Sequence, residues 1–204
     1  MRALREICLK SGQSPSAQGI VFDCRTAKHA AMMRSHADIM DPLQEQHERW
    51  VGDQVIQWHN STHGTNFQFY GRAGVAPDLE YREGKRSLRV EVVTAYYDRE
   101  DAKFKWLGAR KRPDAPATWS GGEFDAKLVE HINSLLAAKC RKSYGPNCVL
   151  GVCVLPSLTR AWEMESRLKD VCVPAANPFD AIYLCGEFPA PIPHPAECRV
   201  WKLA

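Results

Sequence analysis

A chain of 204 residues has room for one domain with a sizeable core and not for two comfortable ones. Hydrophobic residues at 45% and charged residues at 25% are ordinary globular values, and a net charge of +3 leaves any basic surface to local clustering. No apolar run reaches the length of a membrane span, and Met1-Arg2-Ala3-Leu4-Arg5-Glu6 lacks the apolar core of a secretory signal, so the expected compartment is cytoplasmic and no membrane partner is expected.

Residues 1–40 show no sustained period and form an N-terminal extension; Gly19 to Cys24 suits a short strand and Thr26 to Met40 a helix. Asp41-Pro42 then opens a clear helix, with Asp41 as N-cap and Pro42 at the first helical position. The helix runs to about Asn60 and gathers Leu43, His47, Trp50, Val51, Gln54, Val55 and Trp58 on one face. Asn66 to Tyr70 alternates as a strand. A hairpin follows, and its second arm extends through Thr94 to Tyr97. Lys103 to Arg112 reads as a basic loop, because Pro113, Pro116 and Gly121-Gly122 interrupt the sequence after it.

A second helix is expected from Glu123 to Ser143, with Leu128, Ile132, Leu135, Leu136 and Lys139 along one stripe. Cys148 to Leu155 is a continuous apolar strand, Leu158 to Asp170 a third helical segment, and Phe179 to Cys185 another core strand. Residues 187–204 make a Pro-rich tail with a last edge strand at Arg199 to Leu203. The order is helix, three strands, helix, strand, helix, strand. It predicts an α/β fold with a mixed central sheet and helices on both faces.

The hairpin spans Pro77 to Val93 and turns at Gly84-Lys85, where Gly in the first central position suits a type II′ turn. Counting outward places Glu83 opposite Arg86 and Asp78 opposite Glu91. Opposed residues hold their Cβ atoms about 4.5–5.5 Å apart, and like charges there repel. Either the two acids point into water, or a cation sits between them, a hard divalent metal being the usual one.

With Pro77-Asp78, then Glu91-Val92-Val93 across a hairpin, within that element order, the sequence resembles the PD-(D/E)XK nuclease superfamily over residues 41–186. The resemblance implies a restriction-endonuclease-like αβββαβ core. It also implies Mg²⁺ or Mn²⁺ held by Asp78 and Glu91 for phosphodiester hydrolysis, with nucleic acid, DNA first, as partner. A glutamate on the first helix often completes the metal shell in this superfamily, and Glu48 is the best match; Glu45 is less well placed. The motif's lysine should stand two residues after the glutamate, where this chain has Val93. Lys139 is the candidate replacement, as a third catalytic residue beside Asp78 and Glu91. A lysine within an apolar stripe either points at the hairpin acids or snorkels to water. Members that cut both strands often pair, which leaves a homodimer open.

Lys103, Lys105, Arg110, Lys111 and Arg112 suit a phosphate-tracking surface, with Trp106 placed to stack on a base or pack on the body. Alternatively Arg89, on the strand face of Glu91, neutralises the acids with no metal. A degenerate, non-cutting member that binds nucleic acid or a protein partner is the other functional reading. No Gly-x-Ser-x-Gly, phosphate loop, dinucleotide fingerprint, His-Glu-x-x-His or Cys-x-x-Cys occurs. His59 and His63 have the i, i+4 spacing of helical metal ligands but fall where a helix would be ending. Of the eight cysteines, Cys148, Cys153 and Cys185 lie in apolar runs and read as small hydrophobes.

Overall fold

The computed structural model of the chain describes residues 40–73, 76–109, 123–156, 158–190 and 195–204. The strand and helix expected before Met40, and the residues Arg110, Lys111 and Arg112, lie outside these. The first helix, α1 (Met40–His63), is followed by strands β1 (Gln68–Arg72), β2 (Leu79–Glu83) and β3 (Arg86–Ala95). Helices α2 (Arg99–Ala109) and α3 (Phe124–Lys139) lead to β4 (Cys148–Val154). A short helix, α4 (Ala161–Arg167), ends in a 3₁₀ turn before β5 (Ala181–Phe188) and β6 (Glu197–Lys202).

The strands form one six-stranded sheet in sequence order, β1 to β6. β1, β2 and β3 pair antiparallel, β4 runs parallel to β3 and β5 to β4, and β6 closes antiparallel on β5. The sheet is therefore mixed, as the order of elements predicts. Parallel neighbours need crossovers, and helices supply them between β3 and β4 and between β4 and β5. β5 crosses the boundary expected at residue 186, and β6 buries Trp201, so the tail belongs to the sheet. No described helix is long and apolar enough to cross a membrane.

Side-chain alternation divides the core into two layers. On one face Val51 and Val55 of α1 meet Leu79, Tyr81, Val90, Val92 and Tyr183. On the other, Leu128, Ile132 and Leu136 of α3 meet Leu150, Val152, Ile182 and Leu184. β4 is buried along its whole length because both layers cover it.

Residues 99–109 are helical where the sequence suggests a loop. Asp98 Oδ1 accepts the Asp101 N–H at 2.8 Å, an N-cap that precedes an acidic first turn. Pro113, Pro116 and Gly121-Gly122, which colour the region, come after this helix, and Gly108 is its next-to-last residue. The helix expected to reach Ser143 ends at Lys139, and the third helical segment is confined to Ala161–Arg167 with its 3₁₀ turn.

Candidate active site

The β2–β3 register is the one counted from the turn. Glu83 pairs with Arg86, Arg82 with Ser87, and Leu79 with Val90, so Asp78 lies one step beyond the last ladder pair, beside Glu91. Gly84 takes a φ of 59° and Lys85 is not among the positive-φ residues, as a type II′ turn requires. Asp78 Oδ2 accepts the Val92 N–H at 2.8 Å, which ties this carboxylate to the strand carrying Glu91.

Val90 and Val92 belong to the α1 layer and Val93 and Ala95 to the α3 layer, so Glu91 faces α3. Lys139, the last residue of α3, reaches it there: Nζ donates to Glu91 Oε1 at 2.5 Å. The lysine stem covers core while its ammonium finds an acid instead of open water, which resolves the two readings of this residue in favour of the hairpin. Glu91 is 5% exposed, and its second oxygen, Oε2, is buried with no hydrogen-bond partner. Tyr144, five residues beyond Lys139, is also buried, and its hydroxyl, close to Glu91, makes no hydrogen bond of good geometry. Burial first, then the nearby Glu91 carboxylate and more weakly Asp78, push the Tyr144 hydroxyl above the ordinary phenol range. Sequence reasoning passed over Tyr144; the available signal was an aromatic residue between the end of a helix and Gly145-Pro146.

Glu48 is not part of this group. It points to the opposite layer, where Oε1 accepts from Gln44 at 2.7 Å and Oε2 from Arg72 at 3.0 Å. The helical periodicity that recommended it fixes the face of α1, but not which face of the sheet receives that helix. Glu45 also pairs with Arg72, at 3.0 Å, and Glu80 with Arg82 at 2.7 Å. Arg89 gives its guanidinium to the carbonyl of Pro146 and forms no ion pair with Asp78 or Glu91 among the described residues. The neutralising role considered for it falls to Lys139. His59 turns to the Tyr183 hydroxyl at 3.0 Å, with the His63 ring 4.5 Å away.

No family model, curated protein or solved structure matches the chain. Among the described residues no cluster of three His, Cys, Asp or Glu side chains stands ready to hold a metal. Two carboxylates with an unpartnered oxygen still fit Mg²⁺, which keeps most of its waters and takes one or two protein carboxylates alongside substrate phosphate.

The expected basic surface is rearranged by α2. Lys103 pairs with exposed Glu100 at 2.7 Å. Lys105 turns inward, paired with buried Asp101 at 2.8 Å and donating to the Leu155 carbonyl, and so is not a phosphate contact. Trp106 donates its indole N–H to the Tyr96 hydroxyl and meets the His47 ring edge to face at 5.4 Å. A cleft of about 620 Å³ opens between α1 and α2, over the end of β3.

Proposed function

We propose that the chain is a metal-dependent hydrolase of phosphodiester bonds in nucleic acid, DNA first, with Asp78, Glu91 and Lys139 as its working residues. The observation that carries the reading is the contact between Lys139 and Glu91 at 2.5 Å. It brings a cation from α3 to the carboxylate that Val93 leaves without one. Asp78, oriented by the Val92 N–H, and Glu91, through its unpartnered Oε2, would hold Mg²⁺ or Mn²⁺. When bound, such an ion polarises a phosphate and makes water a nucleophile at neutral pH. Lys139 pairs with the buried Glu91 and adds positive charge where phosphate charge develops.

A non-cutting, nucleic-acid-binding member on the same scaffold is the second reading. The ion pair supports it too, because Lys139 alone already neutralises Glu91. Two measurements separate them. Calorimetric titration with Mn²⁺ should show binding to wild type and none to Asp78→Asn or Glu91→Gln. Cleavage of labelled DNA with Mg²⁺ should fall by about 100-fold or more in Glu91→Ala and Lys139→Ala. Metal binding without cleavage of DNA or RNA selects the second reading. Cleavage unchanged in both variants sinks the assignment of these residues.

A further inference from the structure

Helix α2 has two faces with different work. Asp101 and Lys105, one turn apart, are turned into the body, where their ion pair and the bonds to the Tyr97 N–H and the Leu155 carbonyl anchor the helix. Arg99, Ala102, Lys103, Trp106 and Leu107 stand at offsets 0, 3, 4, 7 and 8, which is one side of an α-helix, and all five line the cleft. That side carries two cations at its start and an indole two turns on. Across the cleft stand His47, its Nε2 within 2.7 Å of Thr94 Oγ1, and Glu48, whose charge is met by Arg72 at 3.0 Å. The Lys103 partner, Glu100, is 61% exposed, so the pair is held in water and is readily exchanged for a stronger anion. The floor is β3 where it runs beside parallel β4, at the carboxyl end where open α/β sheets take their ligands.

From this arrangement we infer that the α1–α2 cleft binds one nucleotide unit, its phosphate at Arg99 and Lys103 and its base against Trp106. A flat ring answers the indole, an anion answers the two cations, and about 620 Å³ accommodates a ligand of that size. The ligand class draws on the nucleic-acid reading above; the site itself does not involve Asp78 or Glu91, which lie on the other side of the sheet. Arg72 offsets part of the Glu48 charge and so reduces its repulsion toward a phosphate.

The test is calorimetric titration of the full chain in EDTA, so that binding is read without metal or cleavage. A nucleoside monophosphate should bind, and ribose 5-phosphate and the bare nucleoside should each bind at least about tenfold more weakly. Trp106→Ala should weaken the nucleotide about tenfold or more while Trp106→Phe, which keeps a ring, stays within about threefold. Arg99→Ala with Lys103→Ala, both on the helix surface, should cost about tenfold and leave the melting temperature in place. A short single-stranded oligonucleotide in competition separates the sources: if it displaces the mononucleotide with higher affinity, the unit belongs to a strand, and if it does not compete, the unit is a free nucleotide. No binding of the mononucleotide at millimolar concentration, or equal binding of ribose 5-phosphate, overturns the inference. Either result leaves the Mn²⁺ titration of Asp78 and Glu91 unaffected.

Discussion

Glu48 and Glu91 are both nearly buried, at 7% and 5% exposure, on opposite faces of the same sheet, yet their situations differ. Glu48 has a partner on each oxygen, Gln44 on one and Arg72 on the other. Glu91 has Lys139 on one oxygen and no hydrogen bond of good geometry on the second, with the Tyr144 hydroxyl nearby. A buried carboxylate without its full set of bonds costs stability, and a fold tolerates that cost where the open valence has a use. Burial therefore does not separate the two acids, and incomplete satisfaction does; it does not name a function by itself, because Asp101 Oδ1, on the anchoring pair with Lys105, is also buried without a hydrogen-bond partner.

The largest effect should come from removing a partner of the incompletely satisfied acid. Lys139→Met strands a charge on Glu91 and should lower unfolding stability by about 3 kcal/mol in urea titrations. Removing both charges together, as Glu91→Leu with Lys139→Met, should restore most of that loss, because the pair contributes little beyond a hydrophobic replacement of the same size. Arg72→Met, on the Glu48 side, should cost only about 1 kcal/mol, since Arg72 is 43% exposed and water replaces it. Equal losses in the two single variants would erase the distinction between the acids.

Metal should separate the two glutamates next. Mn²⁺ at about 100 times its dissociation constant adds about 2.7 kcal/mol to the stability of a protein that binds it only when folded. That gain should appear as a raised melting temperature in wild type and in Glu48→Gln, and vanish in Asp78→Asn and Glu91→Gln. Loss of the gain in Glu48→Gln would move the metal to the α1 face.

The α1 face can also be perturbed where it is purely a matter of packing. A Cβ added at Gly52 would fall 2.5 Å from Leu79 Cδ1 and from the Tyr81 hydroxyl, both on buried side chains of β2. Tyr81 has little freedom to retreat, because its hydroxyl is bonded to Asp53 at 2.9 Å. Gly52→Ala should cost about 1–2 kcal/mol after the gain in helix propensity is counted. The Mn²⁺-induced rise in melting temperature should persist in it; losing the rise would mean that the helix position controls the carboxylates.

The hairpin register was legible because a two-residue turn fixes every pair above it, and counting from Gly84-Lys85 places Asp78 beside Glu91 without any tertiary information. Lys139 was legible for a similar reason: a charge in an apolar stripe requires a partner or a route to water, and the helix it ends packs on the glutamate-bearing face. Glu48 was misplaced because periodicity within α1 says nothing about the side of the sheet on which α1 lies. Helix α2 was missed because its N-cap, Asp98, stands among residues that continue a strand, while the later Gly and Pro dominate the region. Tyr144 escaped notice because its relation to Glu91 is created by the crossover from α3 to β4 and not by any local pattern.

The smallest effect concerns protons on the α1 face. Burial, opposed by the neighbouring Glu48, holds His47 below its ordinary value of 6.5. Between the lowered folded value and 6.5 the unfolded chain binds more protons than the folded one, so stability rises with pH through this window and is lost as pH falls below 6.5. His59, lowered by burial and then by His63, Lys202 and Arg86, acts in the same direction. Urea midpoints at pH 7.5 and 5.5 should therefore fall on acidification in wild type and fall less in His47→Gln, whose amide can keep the bond to Thr94. Arg72→Met sharpens the assignment: without the guanidinium, Glu48 favours imidazolium more strongly, and the acid-side loss should shrink again. If His47→Gln leaves the acid-side slope unchanged, the proton uptake belongs to His59, and the cleft wall at His47 plays no part in the pH response.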